Sequence, residues 1–144
     1  MADQLVVPAG GGLDYDWSKD HVFVKTPMTL TDGRVTVVED VLKPGFYLAP
    51  HHHRQMVEIF YILAGEVTFT FDDETIVATV GTAVSVPANT RHEVASPAGC
   101  RMITVFTPGG FDQYLAELAG LTPAQLADDE AMNRLAERYD IWPG

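Results

Sequence analysis

An all-β fold, a sandwich or barrel of antiparallel strands, is predicted by the regular spacing of short hydrophobic segments along most of the chain. Between residues 21 and 107, segments rich in β-branched and aromatic residues alternate with turn residues such as Asp32-Gly33, Pro44-Gly45 and Ala64-Gly65. This alternation is typical of sandwiches and barrels. A helical pattern begins only after Gly110. We therefore expect a β domain followed by a short helical segment.

The predicted strands are connected by short turns, so consecutive strands should be antiparallel neighbours. Further turn residues are Asp72-Asp73 and Pro97-Ala98-Gly99. The strands are predicted at residues 21–25, 34–42, 58–63, 66–71, 74–79, 83–86, 92–95 and 101–107.

Two C-terminal α-helices are expected after Gly110. The first covers residues 111–119. The second begins at Thr122, a good N-cap residue, with Pro123 at the first helical position and Gln125 completing a capping box. Packing against the barrel is the simplest interpretation of its apolar residues, and a lid over the barrel mouth is the functional one. These residues are Leu126, Met132, Leu135 and Tyr139.

Length and composition favour one domain. The chain has 144 residues, 47% of them hydrophobic, and a mean hydropathy of +0.04, which is enough to fill one core. We expect an N-terminal arm at 1–20, a barrel at 21–108 and a helical segment packed on the barrel at 109–144. The single cysteine, Cys100, rules out an internal disulfide.

Charge and hydropathy also limit the partners. Twenty acidic residues against nine basic ones give a formal net charge of -11, which repels phosphate backbones and anionic membrane surfaces. We therefore expect no nucleic-acid partner and no membrane association. Since neither a secretory leader nor a membrane-spanning stretch is found, we expect a soluble, cytoplasmic protein.

The most informative residues lie in the run His51-His52-His53 and shortly after it. On a strand, His51 and His53 point to one face while His52 points to the other. Glu58 opens a strand-like stretch that could bring a carboxylate beside the two rings, and His92 stands at the mouth of another strand. Together they predict a site for one divalent metal. A surface histidine run is the alternative, which we accept for His52 alone.

Three neutral imidazoles and one carboxylate would leave an octahedral ion two positions for water or a chelating substrate. Nitrogen and carboxylate ligands without thiolate admit Fe, Ni, Mn, Co, Cu or Zn, and disfavour calcium and magnesium. Since such a site cannot be sealed cheaply in a dry core, the barrel should leave a cavity beside it. We expect a structural role for His21.

Two motifs resemble those of the cupin superfamily. The first runs from Gly45 through His51, His53 and Glu58 to Gly65 with the family's spacing and no gap. The second comprises Gly81, Pro87, Asn89, His92 and Ser96. Asn89 replaces the usual glycine, which asparagine can do because it tolerates positive φ, and Ser96 replaces the usual asparagine.

The resemblance covers residues 21–108 and implies a cupin-type double-stranded β-helix barrel, with His51, His53, Glu58 and His92 as metal ligands and a homodimer as the assembly. Candidate cavity walls on the expected inner faces are Phe60, Ile62, Val94, Phe69, Met102 and Phe106, with Val35, Val37, Val41 and Thr104 as further candidates. A mostly apolar cavity suits a small aromatic or polyketide-like substrate.

Within the superfamily, the chain is most similar to single-domain, quercetin-dioxygenase-like cupins. This similarity implies dioxygen chemistry on a substrate with neighbouring hydroxyl and keto oxygens, where Glu58 is either a ligand or the base that takes the hydroxyl proton. Similar small cupins act as redox-neutral cyclases of aromatic polyketides, by aldol ring closure. A non-catalytic cupin that binds a small ligand is the third alternative.

Overall fold

A computed structural model describes residues 5–144. Its first sheet contains β1 (Leu13–Asp16), β2 (Asp20–Thr26), β3 (Thr36–Leu42), β5 (Val57–Gly65), β8 (Ala83–Val86) and β10 (Cys100–Thr107). Its second sheet contains β4 (Phe46–His52), β6 (Val67–Phe71), β7 (Glu74–Ala78), β9 (His92–Ser96) and β11 (Trp142–Pro143). The spatial orders are β1-β2-β3-β10-β5-β8 and β11-β4-β9-β6-β7, and every pair is antiparallel. The predicted all-β fold is confirmed.

Alternating burial along the central strands explains the two-layer arrangement. In β10, buried residues alternate with more exposed ones from Cys100 to Phe106, and β9 shows the same period. This period of two places one face of each sheet in the interior. The inner faces of β10 and β5 are in register, with Thr104 opposite Phe60 and Phe106 opposite Glu58.

Three strands were not among the predicted ones. β1 lies in the segment assigned to an N-terminal arm, and it is mostly exposed although it pairs with β2. β4 has exposed residues at three consecutive positions, Tyr47 to Ala49, because it lies near the edge of its sheet. β11 is only two residues long. Pairing, rather than burial, defines these strands.

Three C-terminal helices are present where two were expected: α1 (Phe111–Ala119), α2 (Pro123–Leu126) and α3 (Asp129–Arg138). The predicted capping box at Thr122 and Gln125 is confirmed. The expected second helix is divided because Asp128 accepts hydrogen bonds from the backbone N–H groups of Glu130 and Ala131, and so caps a new helix. None of the helices within residues 5–144 has the length and hydropathy needed to cross a membrane.

One hydrophobic cluster lies between the two sheets, and a second lies between the first sheet and α1. One lies under β5, β6 and β8 and includes Phe69, and the other joins β2 and β3 to α1 through Leu115. Phe106 of the second cluster stacks on Phe111 with ring centroids 4.1 Å apart. A cavity lies between the clusters, because it is lined by Phe60 and Met102 of the first and Phe106 of the second.

We predict that Gly65→Ala destabilises the fold much more than Gly81→Ala. Both glycines have positive φ, +72° and +85°, which costs an alanine about 1–2 kcal/mol. A Cβ on Gly65 would also clash with the Gly99 carbonyl oxygen, whereas a Cβ on Gly81 would meet no atom within 4 Å. Urea unfolding measures both variants. Equal losses of free energy of unfolding would contradict a close approach of β5 to the Gly99 turn.

Candidate metal centre

A bulge in β4 places His51 on the inner face of the barrel. Leu48 pairs with Val94 and His51 pairs with His92, so three steps along β4 match two along β9. The extra residue reverses the alternation of side chains, and His51 therefore points to the same cavity as Leu48. Pro50 lies within the bulge, where a missing N–H breaks no ladder bond. His52 faces away, as predicted, and pairs with Trp142.

The three buried imidazole rings are each held by a backbone carbonyl. The Nδ1 atoms of His51, His53 and His92 lie 3.0, 2.8 and 2.9 Å from the oxygens of Ala49, Asp140 and Thr90. Because a carbonyl can only accept, the Nδ1 atoms are the donors. In a neutral ring Nε2 then carries a free lone pair. Such contacts orient the histidine ligands of metal sites.

The free Nε2 atoms converge with the Glu58 carboxylate. One ligand atom from each of His51, His53, Glu58 and His92 lies within 4.8 Å of the others, and all four residues are buried. Glu58 Oε1 contacts His53 Nε2 and lies 3.7 Å from His92 Nε2. The structure thus brings together all four residues predicted as ligands, in a cluster that could hold a metal ion.

The electrostatics of the cluster suit a cation. Burial and the neighbouring His92 lower the pKa of His51 to about 4, so that ring is neutral at pH 7. Burial favours neutral Glu58, but the adjacent His53 and His92 rings outweigh it and lower its pKa to about 2. Burial lowers the pKa of His53, yet the contact with Glu58 is stronger and raises it overall. The carboxylate is therefore charged and attracts a positive partner, which a proton on His53 or a divalent cation can supply.

The C-terminal segment binds the short stretch of chain that connects His53 to Glu58. Asp140, at a positive φ of 64°, accepts hydrogen bonds from the backbone N–H groups of Arg54, Gln55 and Met56, each at 2.8 Å. Its own carbonyl accepts from His53. We call this arrangement the Asp140 clamp. These backbone hydrogen bonds outweigh the effect of burial and keep the pKa of Asp140 below its usual value.

A second set of contacts supports the clamp. The indole Nε1 of Trp142 donates to the Asp140 carboxylate at 3.0 Å, and the Arg54 guanidinium lies over the Trp142 ring, 3.5 Å from its centroid. The backbone N–H of Gly144 donates to Pro50 in the β4 bulge. Sequence reasoning missed Asp140, because nothing in the sequence indicates that a residue near the C-terminus reaches the histidine run.

The second motif closes the cluster from the other side. Asn89 has a φ of +62°, which agrees with the reason given for its replacing glycine. Its backbone N–H donates to the carbonyl of His53 at 2.6 Å, so the loop before β9 is tied to the end of β4. Ser96 donates its hydroxyl to the carbonyl of Glu66 at 2.8 Å and has no contact with the cluster.

A cavity of about 130 Å³ opens beside the cluster. Four of the predicted wall residues line it, whereas Ile62 and Phe69 lie in the packed core. The other predicted walls separate in the same way: Thr104 lines the cavity, and Val35, Val37 and Val41 do not. Asp40 and residues of the C-terminal segment also line it and were not predicted. The lining residues from the predicted set are Phe60, Val94, Met102, Phe106 and Thr104. The lining residues that were not predicted include Asp40, Phe111, Tyr114 and Ile141.

A larger surface groove of about 440 Å³ lies between the N-terminal strands and α1. It shares no residue with the cavity beside the cluster. His21 is far from the cluster as well: its Nε2 lies 2.7 Å from a carboxylate oxygen of Asp14, across β1 and β2. The expectation of a structural role for His21 agrees with this contact.

A two-sheet barrel with three histidines and one glutamate at its inner face is the architecture of a β-barrel with a candidate metal site. The sequence matches the cupin domain family over residues 31–106, which is more than half of the chain. The protein therefore belongs to the cupin family, and the resemblance stated from its motifs is confirmed. Among curated proteins, none matches the chain significantly.

Solved structures agree with the family assignment. KdgF from Halomonas sp. matches with a TM-score of 0.62 and 18% identity, over 70% of this chain and 92% of that one. Ectoine synthase from P. lautus matches with 0.60 and 18%, over 91% and 80%. The polyketide cyclase RemF from Streptomyces resistomycificus matches with 0.57 and 19%, over 62% and 66%. At this identity the likeness establishes the fold.

We predict that Asp140→Asn weakens the affinity of the cluster for added Ni²⁺ by about 10- to 100-fold, the range usual for residues that orient metal ligands. Asparagine tolerates the positive φ but presents an NH₂ group where the backbone N–H groups require an acceptor. Calorimetric titration measures the affinity. Asp72→Asn is the matched control, because Asp72 also has positive φ, 52°, in an exposed turn. Unchanged Ni²⁺ affinity in Asp140→Asn would show that the clamp only stabilises the fold.

Proposed function

We propose that this cupin is a metal-dependent enzyme whose substrate chelates the metal through neighbouring hydroxyl and keto oxygens. The observation that carries the proposal is the convergence of three imidazole Nε2 atoms and the Glu58 carboxylate at one side of a mostly apolar cavity. Burying two of these atoms, His53 Nε2 and His92 Nε2, without a hydrogen-bond partner is costly. A metal ion and the substrate bound to it remove that cost.

The donor set fits one divalent transition metal. His53 Nε2 and His92 Nε2 are buried without a hydrogen-bond partner in the described part of the chain. Imidazole nitrogens suit Fe, Ni, Mn, Co, Cu and Zn, and the absence of thiolate among the four residues does not select between them. When bound, such an ion acts as a Lewis acid that lowers the pKa of a substrate hydroxyl and favours the enolate form.

The volume of the cavity restricts the substrate. A cavity of about 130 Å³ is close to the apolar cavity of about 150 Å³ that holds one benzene molecule. One ring can therefore lie inside, against Phe60, Phe106 and Val94. The other rings of a flavonol would have to lie outside, unless the C-terminal segment that supplies Tyr114 and Ile141 moves. We infer that single-ring hydroxy-keto compounds fit best.

The leading reaction is ring cleavage by dioxygen, as in quercetin-dioxygenase-like cupins, with both oxygen atoms entering the products. In this reaction the chain's own residues have two tasks. The apolar walls exclude water from the reactive enolate, and Glu58 takes the proton from the substrate hydroxyl. Glu58 is ionised, and His53, whose pKa the contact with Glu58 raises, lies beside it and can share the proton.

A redox-neutral cyclase is the second candidate, and the observation that favours it is the structural likeness to the polyketide cyclase RemF. In that reaction the enolate carbon attacks a carbonyl of the same molecule and oxygen is not consumed. A cupin that binds a ligand without converting it is the remaining alternative.

We also expect the homodimer implied by the family resemblance, which sedimentation velocity can measure.

The metal prediction compares two ligand variants with a neighbouring histidine. We expect His51→Ala and His92→Ala to fall from about one metal ion per chain to below about a tenth of that, because ligand loss opens the site. His52→Ala should keep the metal, since His52 faces away from the cluster. Elemental analysis after chelation and reloading measures the content. Equal metal loss in all three variants would contradict a specific site.

Acidification should also release the metal. The imidazoles must be neutral to act as ligands, so protons compete with the cation as the pH falls below the ordinary histidine pKa of about 6.5. His53 should be the first to compete, because its pKa is raised, whereas His51 stays neutral to about pH 4. Metal content after dialysis between pH 8 and pH 4 measures this. Full retention at pH 4 would contradict ligation by His53.

Oxygen uptake distinguishes the two reactions. With the protein loaded separately with iron, nickel, manganese, cobalt and copper, we expect consumption of one O₂ per substrate cleaved for a hydroxy-keto ring compound. No consumption is expected in His51→Ala. Turnover of a poly-β-keto substrate under nitrogen would instead establish the cyclase. If either class of compound binds tightly but gives no product under air or under nitrogen, the protein is a cupin that binds a ligand without converting it.

A further inference from the structure

A diagonal row of polar side chains crosses the otherwise apolar inner face of the first sheet. Asp40 on β3 lies opposite Met102 of β10, and Thr104 follows Met102 on the same face of β10. Thr104 in turn precedes Phe106, which lies opposite Glu58 on β5. Glu58, Thr104 and Asp40 are therefore successive diagonal neighbours, about 7–8 Å apart at each step. The row begins at the cluster of three histidines and Glu58 and leads away from it.

Two oxygen atoms of this row have no hydrogen-bond partner. Thr104 Oγ1 and Asp40 Oδ1 are both buried, and within residues 5–144 the only other such side-chain atoms are the Nε2 atoms of His53 and His92. Since neither oxygen has a partner, the two do not bond to each other. Both residues line the cavity beside the cluster. The unpartnered buried side-chain atoms of the described residues thus all belong to the cluster or to its cavity.

Such atoms are unfavourable in the fold alone. A buried oxygen without a hydrogen bond costs folding free energy, and most native proteins bury very few. The chain offers a contrast in Thr36, two residues before Val38 on the same face of β3. Its hydroxyl donates to Asp112 at 2.6 Å and accepts from the N–H of Gly110 at 3.0 Å. The protein can therefore satisfy a buried threonine on this face, yet it leaves Thr104 free.

The chemistry of Asp40 suits an uncharged partner. Burial and the adjacent Asp20, with which it shares a hydrogen bond, raise the pKa of Asp40 well above its usual value. A neutral carboxyl group both donates and accepts, as does a hydroxyl. The partner must therefore be polar and uncharged, because a cation would find no free carboxylate and an anion would face Asp20 and Glu58.

We propose that Thr104 and Asp40 are specificity-determining residues that bind a hydroxyl group of the substrate at the end of its ring remote from the metal. This inference rests on the proposed function. It assigns the substrate to a class: a single-ring hydroxy-keto compound with an additional hydroxyl or hydroxymethyl group opposite its chelating pair. The chelating oxygens bind at one end of the cavity and the additional hydroxyl at the other.

Two hydroxypyranones test the inference. Kojic acid and allomaltol share one chelating hydroxy-keto pair and differ only at the opposite side of the ring, where kojic acid has a hydroxymethyl group and allomaltol a methyl group. With the Zn²⁺-loaded protein, which cannot use dioxygen through the metal, calorimetry should give about tenfold tighter binding of kojic acid. Thr104→Val and Asp40→Leu should remove this preference and leave allomaltol binding within about twofold of wild type.

Folding stability provides a second readout that does not need the metal. Thr104→Val replaces an unpartnered hydroxyl with a methyl group of the same shape, so its thermal unfolding midpoint without metal should rise. Ser96→Ala is the matched control, because its buried hydroxyl already donates to Glu66 and its loss should lower the midpoint. A lower midpoint in Thr104→Val would mean that the hydroxyl serves the fold, and would overturn the inference.

The outcomes separate the two proposals. Equal affinities of kojic acid and allomaltol in wild type would overturn the role of Thr104 and Asp40, while the metal-dependent chelation stands. If neither compound binds the Zn²⁺ protein, the chelating function fails and the inference fails with it. A tenfold preference that survives both substitutions would place the hydroxyl elsewhere in the cavity and would also overturn the inference.

Discussion

The cluster of three histidines and one glutamate depends on one constraint, the extra residue in β4. Strand alternation would place His52, not His51, on the face that carries Leu48. The bulge shifts the register against β9 by one residue and brings His51 beside His92, with ring centroids 4.2 Å apart. It also frees the carbonyl of Ala49 from the ladder, and that carbonyl then fixes the His51 ring. One local irregularity thus selects the histidine and orients it.

His53 needs a different support, because it lies just beyond the last residue of β4 and has no ladder partner. The Asp140 clamp supplies one. Its carboxylate satisfies three successive backbone N–H groups between His53 and Glu58, and its carbonyl holds the His53 ring. Since Ile141 follows Asp140 and lines the cavity, the segment that encloses the cavity also positions one of the four candidate ligands. A movement of this segment that admits a larger substrate would therefore disturb His53.

The sequence predicted the features that depend on local chemistry and period. Alternating residues in β9 and β10, the capping box at Thr122, and the spacing of His51, His53 and Glu58 all lie within short stretches, so one sequence is enough to interpret them. β1 alternates apolar and acidic residues over only four positions and β11 has only two residues, so neither segment is long enough to predict a strand, and each pairs with a longer strand. Asp140 and His53 are 87 positions apart, and only the fold brings them together.

The residues that line the cavity could likewise be predicted only in part from the sequence. Phe60 and Ile62 are two residues apart on one face of β5, yet Phe60 lines the cavity and Ile62 lies in the packed core. The alternation of side chains along a strand predicts which face of the sheet a residue lies on. Whether there is empty space in front of that side chain depends on residues of the opposite sheet and of α1. Asp40 escaped prediction for a related reason: an aspartate in a strand resembles a solvent-facing residue unless the strand is known to have its even-numbered positions inside.

The cost of the buried polar atoms argues that the cavity has been kept for a ligand. An apolar core of the same size would be obtained with valine at Thr104 and leucine at Asp40, and it would avoid two unpartnered oxygens. The protein instead places these oxygens on a line that begins at Glu58, where the four candidate ligands converge. Polar groups at both ends of an apolar space fix the orientation of a bound ring as well as its position. Orientation matters for the proposed substrate, because only one end of a hydroxy-keto ring can chelate a metal.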